Sequence, residues 1–224
     1  MDLFFDLDGT LTDSSSGIIR CINHALVELG HERVADDRLL GMIGAPLTTI
    51  FRTLLGPTDV VGLDRAVAAY RTRFDDVGIF ENALFPGIAN ALDELHRRGH
   101  VLQIVTAKPA ASARRVVAHF EIARFFDAVH GPELGDRSCD KADLVGAALR
   151  VAGGDKNQTM MVGDRAEDVL AAHAHGIAAV GVGWGYGSRQ ELLNAGPAYV
   201  AESVAELVLW VHAASRLVAG RRGS

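Results

Sequence analysis

Asp6-Leu7-Asp8-Gly9-Thr10-Leu11-Thr12-Asp13-Ser14 is the stretch on which the reading of this chain turns. It follows Leu3-Phe4-Phe5, an apolar run that reads as a short buried strand. Two carboxylates then come two residues apart, and a Gly-Thr pair breaks the strand. Positions two apart on a strand point to the same side, so Asp6 and Asp8 are expected to face one small volume while the second remains in the pleat. Like charges that close are costly unless a cation sits between them or one keeps a proton. A metal-bound nucleophile beside a general acid is the chemistry such a pair serves. The bland alternative is a solvated strand end with an Asp-Gly turn. Against it stands a second acidic cluster far downstream, Asp164 and Asp168.

Three further stretches follow in order. Ile104-Val105-Thr106-Ala107 ends an apolar strand on a hydroxyl, and Lys141 opens the helical stretch Lys-Ala-Asp-Leu-Val. Val162-Gly163-Asp164-Arg165-Ala166-Glu167-Asp168 follows the apolar Met160-Met161. Together with the first stretch, these resemble the four ordered motifs of the haloacid-dehalogenase-like phosphohydrolase superfamily. Any one of them alone is a weak signal; four in order across residues 6–168 are specific.

The resemblance implies an α/β fold, a Rossmann-like doubly wound parallel sheet with an inserted all-helical cap. It implies a phosphatase working through an aspartyl-phosphate on Asp6. Asp8 would protonate the leaving oxygen and then take a proton from the attacking water. Thr106 and Lys141 would hold the transferred phosphoryl group, with backbone amides near Gly9 and Ala107 as further donors. A divalent ion would be held by the Asp6 carboxylate, the backbone carbonyl at Asp8, and Asp164. Asp168, one helical turn later, either joins the ion's surroundings or complements the helix dipole. Hard oxygen donors with no accompanying His or Cys cluster point to Mg²⁺ over zinc. The carboxylate at Asp8 also separates reactions, because dehalogenases of the family lack it: halide leaves without a proton.

Within the superfamily the chain resembles phosphoglycolate phosphatases most and 5'-nucleotidase-like members nearly as much. A sugar phosphomutase is the rival enzyme class. A non-catalytic phosphate-binding module is the third reading, and retention of Asp6, Asp8, Thr106, Lys141 and Asp164 argues against it.

Composition sets the bounds. The 224 residues, 49% hydrophobic with six Pro, suit one large domain or a core plus a small inserted module. A formal charge of −6, from 22 basic and 28 acidic side chains, supplies no field for nucleic acid. The expected partner is a small-molecule phosphomonoester, with no nucleic acid and no membrane, and the expected state a monomer or homodimer. Cys21 and Cys139 have no metal-ligand spacing and read as idle thiols. A cytoplasmic location is expected, since the first motif leaves no room for a leader and no apolar run reaches membrane-spanning length.

Strand-like runs at 3–6, 101–106, 125–130, 159–163, 178–183 and 199–201 alternate with helical patterns. Pro86-Gly87 opens one helix and Lys108-Pro109 the next; Ser188 with Glu191 and Ser203 with Glu206 fit capping boxes. Residues 1–14 and 86–224 are expected to form the catalytic core, and 15–85 the helical cap. In that interval Ile18, Ile22, Ala25, Leu26 and Leu29 share one face, Pro46 starts a second segment, and a third runs from Thr58 through Val61 to Gly78. Residues 219–224 read as a frayed tail. Lys108 reads as an exposed helix-start charge or a rim group, Arg71 and Arg73 as solvated helix cations, and Trp184-Gly185-Tyr186-Gly187 as a glycine-rich loop packing aromatics.

Overall fold

The computed structural model describes residues 1–56, 59–133, 140–153 and 155–221. Thr58 and Cys139 lie outside the described residues. The chain divides into two units, Met1–Asp13 with Leu84–Ser224, and Ser14–Ala83.

The larger unit begins with β1 (Asp2–Phe5) and the short β2 (Thr12–Asp13). The chain then builds the smaller unit from α1 (Ser15–Glu28), α2 (Asp36–Leu40), α3 (Leu47–Leu55) and α4 (Val60–Asp76). It re-enters the larger unit through β3 (Ala83–Leu84), α5 (Ile88–Arg97), β4 (Val101–Val105), α6 (Ala110–His119) and β5 (Ala128–His130). Next come α7 (Lys141–Val151), β6 (Thr159–Gly163), α8 (Ala166–His175) and β7 (Ala178–Val182), and the unit closes with α9 (Arg189–Ala195), β8 (Tyr199–Ala201) and α10 (Val204–Arg221).

Six strands form one parallel sheet in the order β5-β4-β1-β6-β7-β8. Because helices cover both faces, the strands read as nearly unbroken apolar runs. Phe4, Val105 and Met161 meet Val145, Val169, Ala172 and Leu192 in one buried cluster with α7, α8 and α9. Leu3 and Phe5, alternating with Phe4, turn to the opposite face, where Phe5 meets the edge of Phe126 at 6.4 Å between centroids. Phe4 is wholly buried, a burial that contributes roughly 2–3 kcal/mol. Strand order reverses at β1, and an open sheet of this kind binds its ligand outside the strand carboxyl ends at that reversal. The register sets the level: Phe5 pairs with Ile104 on one side and Val162 on the other. Asp6, Thr106 and Asp164 therefore leave the sheet within one residue of the same height.

Several expectations need correction. The run at 125–130 yields a strand only from Ala128, because Ala123–Phe125 close a 3₁₀ turn that buries Phe125. The tail is helical through Arg221, because α10 is anchored by the buried Leu207, Val208 and Val211; residues 222–224 lie outside the description. Both capping boxes form by half. Ser188 and Ser203 accept from the backbone N–H groups of Glu191 and Glu206, at 3.1 and 3.2 Å, but each glutamate carboxylate is drawn elsewhere. Glu191 accepts from Arg165 Nε at 2.8 Å and the Ala166 N–H at 2.9 Å, tying α9 to the start of α8.

In the smaller unit α1 buries Ile19 rather than Ile18, and Val61 is 71% exposed. Asp59 caps α4 by accepting from the Gly62 N–H at 2.8 Å. Tyr70 stacks on Phe74 at 5.4 Å and meets the edge of Phe51 at 6.3 Å. Arg73 is no solvated cation: it pairs with Glu81 at 2.7 Å, and Glu81 also takes Arg20 at 2.9 Å. Arg71 is exposed. Burial pushes the Cys21 thiol pKa up, which leaves it a poor nucleophile. Among the described residues no helix is long and apolar enough to cross a membrane.

Candidate active site

β1 ends at Phe5, before either carboxylate. The Asp6 N–H still donates to the Val162 carbonyl of β6 at 2.9 Å, so the ladder continues to Asp6, whereas Asp8 is oriented by the loop that follows. The N–H groups of Thr10, Leu11 and Thr12 all point to the Leu7 carbonyl, at 3.3, 2.9 and 3.0 Å, and Gly9 N–H donates to the Thr12 carbonyl at 2.8 Å. Leu7 and Leu11 are wholly buried and pin this knot to the core. Gly9 has φ +87°, and a Cβ there would lie 2.3 Å from Asp164 Oδ2, so the turn and the close approach both require glycine.

The two carboxylates take different cations. Lys141 Nζ lies 2.7 Å from Asp6 Oδ1 and 2.7 Å from Asp168 Oδ1. Lys108 Nζ lies 2.5 Å from Asp8 Oδ2, and its side chain is only 7% exposed. Lys108 is thus neither a solvated charge nor a rim group. Asp8 has this ammonium beside it, whereas Asp6 shares that of Lys141 with Asp168.

Asp6, Asp164 and Asp168 are buried and can each present an oxygen within 4.8 Å of the others. The Asp8 carboxylate is not part of that group. Asp164 Oδ1 accepts from the Thr10 hydroxyl at 3.2 Å and Oδ2 from the Tyr186 N–H at 2.8 Å. Burial, reinforced by the Asp6 charge, pushes the Asp164 pKa up to about 6, and the hydrogen bonds from Tyr186, Thr10 and Gly187 only partly oppose this. Burial likewise raises Asp168, against the pull of Lys141. Burial works against a charged Lys141, yet Asp168 and Asp6 outweigh it and hold its pKa above the usual lysine value. Asp168 Oδ2 accepts from the Arg165 N–H at 3.1 Å at the start of α8, so this residue both caps its helix and faces the acidic group.

Thr106 is buried at the carboxyl end of β4, its N–H on the His130 carbonyl at 2.9 Å. Its hydroxyl oxygen accepts from the Lys108 N–H at 3.2 Å, a bond that does not use the hydroxyl hydrogen. Ala107 is exposed beside it.

Sequence reasoning missed the part played by residues 184–187. Trp184 Nε1–H donates to the Thr10 carbonyl at 3.0 Å, and the Tyr186 hydroxyl to Asp13 Oδ1 at 3.0 Å. Gly185 lets this loop approach: a Cβ there would sit 2.3 Å from both Asp164 Cβ and the Gly9 carbonyl oxygen. The available signal was its place at the carboxyl end of a sheet strand, β7. Gly185→Ala is expected to cost about 1–3 kcal/mol, the range for overpacking a filled site. Thermal melting of the purified variant checks this; an unchanged melting temperature would contradict the packing.

The model for the haloacid dehalogenase-like hydrolase family matches residues 3–182. The chain belongs to that family. This haloacid dehalogenase-like hydrolase is 39% identical over 206 residues to a 5'-nucleotidase of Pseudomonas aeruginosa, covering 92% of the chain and 93% of the relative. It is 37% identical over 186 residues to the tyrosine-protein kinase PtkA of Mycobacterium tuberculosis, covering 83% of the chain and 62% of the relative. A phosphoglycolate phosphatase of Pseudomonas fluorescens is 28% identical over 213 residues, 92% of the chain and 78% of the relative. Among solved structures, a putative phosphatase from Clostridium difficile superposes with a TM-score of 0.89 at 33% identity, covering 94% and 97% of the two chains. The haloacid dehalogenase-like chain is an enzyme, a phosphatase. Its family generally uses Mg²⁺, and its buried acidic group can hold a metal ion.

Proposed function

We propose that the chain is a Mg²⁺-dependent phosphomonoesterase that forms an aspartyl-phosphate on Asp6. The observation that carries this reading is the buried group Asp6, Asp164 and Asp168, with Lys141 at 2.7 Å from two of its members and Asp8 held apart on Lys108. The three carboxylates of that group against the one ammonium of Lys141 leave two negative charges, which one divalent cation cancels. The donors are all hard oxygens, the set that suits Mg²⁺. Burial first, and the Asp6 charge second, raise the Asp164 pKa, and a bound cation would oppose both. Asp6, Asp164 and Asp168, with the backbone carbonyl at Asp8, are the groups proposed to hold the ion. When bound, the ion would offset repulsion between the attacking carboxylate and a phosphate dianion.

The residues then divide the work. Asp6 attacks phosphorus while Thr106 donates its hydroxyl hydrogen to a phosphoryl oxygen. Lys141 neutralises charge on the group in transfer, and the exposed backbone at Ala107 and the turn at Gly9 are assigned to phosphate binding. Asp8 gives its proton to the leaving oxygen and later accepts one from the water that opens the acyl phosphate. The helical unit is assigned the role of a cap that selects the leaving group.

For the substrate, the greater identity to the nucleotidase than to the phosphoglycolate phosphatase supports testing nucleoside 5'-monophosphates first and 2-phosphoglycolate second. A panel of mononucleotides, 2-phosphoglycolate and sugar monophosphates with Mg²⁺ decides it. Free phosphate supports hydrolysis, a sugar-phosphate isomer would mean a mutase, and no turnover of any member would overturn the reading.

Asp8→Asn provides the finer check. In single-turnover phosphoenzyme formation it should slow an alkyl phosphate by about 10²–10⁴-fold. The loss on p-nitrophenyl phosphate should be far smaller, because nitrophenolate departs without an acid. Equal losses on both would remove the acid role from Asp8.

A further inference from the structure

We propose that Lys108 is a positioning residue for this reaction, its ammonium setting where the Asp8 carboxylate stands. The proposal rests on the phosphatase reading above and on the acid role given there to Asp8.

Desolvating an ammonium and freezing a four-carbon stem are both unfavourable. A lysine opening a helix normally avoids both by extending into water. Lys108 instead keeps 7% exposure and lies against Asp8, a residue one hundred positions earlier in the chain. Lys141 does not duplicate this contact, because its partners are Asp6 and Asp168. The Asp8 carboxylate is not among the three buried carboxylates Asp6, Asp164 and Asp168. Lys108 gives it a fixed station outside that group.

The two oxygens of Asp8 are held unequally. Oδ2 takes the ammonium at 2.5 Å, whereas Oδ1, among the described residues, accepts from the Thr12 hydroxyl at 3.4 Å. Oδ1 is the oxygen left to carry the proton to the leaving group and to receive one from water. Lys108 forms no covalent bond in the reaction, and its side chain acts through Asp8 alone. The same residue also reaches the phosphate side of the site, since its backbone N–H occupies the Thr106 hydroxyl oxygen at 3.2 Å. Substitution of the side chain leaves that backbone bond in place, so the two roles can be separated.

The test is a double-mutant cycle in single turnover with Mg²⁺ present, comparing wild type, Lys108→Met, Asp8→Asn and the double variant. Lys108→Met should slow phosphoenzyme formation from an alkyl phosphate by about tenfold or more, and from p-nitrophenyl phosphate by less than about threefold. In the Asp8→Asn background the same substitution should cost less than about threefold on either substrate, because the group it positions is gone. Lys108→Arg should recover part of the alkyl phosphate rate, and melting temperatures identify any variant that has lost its fold. A residue needed only for folding or for phosphate binding would instead slow both substrates alike, in both backgrounds. An active wild type with such multiplicative losses overturns the role of Lys108 and leaves the phosphatase reading intact. A wild type that turns over no phosphomonoester overturns both.

Discussion

Asp6→Asn is expected to abolish turnover, with a fall in kcat of at least about 10⁴-fold and no loss of fold. An amide has no charge with which to attack phosphorus, and no neighbour can replace it. Asp164 and Asp168 lie deeper among hydrogen bonds to Thr10, Tyr186 and Arg165, and Asp8 is turned to Lys108. The substitution also removes a charge that raises the pKa of Asp164 and of Asp168, so both should fall in the variant. Phosphate release, rapid-quench detection of phosphoenzyme and thermal melting together check the prediction. Substantial hydrolysis by folded Asp6→Asn protein would remove the nucleophile assignment.

Removal of divalent metal is expected to be equally severe. Activity should vanish on chelation and return with Mg²⁺, and the metal should be visible in stability as well as in rate. Asp164 has a folded-state pKa of about 6, above its ordinary value of 3.8. Below pH 3.8 the carboxyl is protonated in both folded and unfolded chains and contributes no difference. As pH rises to 6 the unfolded chain ionises first, and metal-free folded protein loses up to about 3 kcal/mol, a penalty fully present at neutral pH. Added Mg²⁺ should therefore raise the melting temperature by several degrees more at pH 7 than at pH 4.5. An identical Mg²⁺ shift at both pH values, or full activity in chelator, would place the metal elsewhere.

Much of the α/β architecture was open to reading in the sequence because its signals are local. Apolar runs such as Leu3-Phe4-Phe5 and Met160-Met161-Val162 are short and unbroken, as strands covered on both faces must be, and helix-spaced apolar residues separate them. Cap residues that act within three or four positions, such as Ser188 and Ser203, marked element ends for the same reason. Even so, local signals misjudged Ile18 against Ile19 and the start of β5, where neighbouring elements choose which face is buried.

The site divides along the same line. The acidic residues stood out by type and order, but their partners did not. Lys141 meets Asp6 across 135 positions and Lys108 meets Asp8 across 100, through parallel strands whose ends converge at the reversal beside β1. No periodicity within either segment encodes such a pairing, which is why Lys108 resembled a solvated charge until the fold closed around it. The raised pKa of Asp164 belongs to the same class, because burial and the Asp6 charge exist only once β1 and β6 lie side by side. Sequence alone determined which chemistry-bearing residues this protein carries and on which elements. Tertiary structure alone decided which charge neutralises which, because electrostatic partnership depends on distance in space and not along the chain.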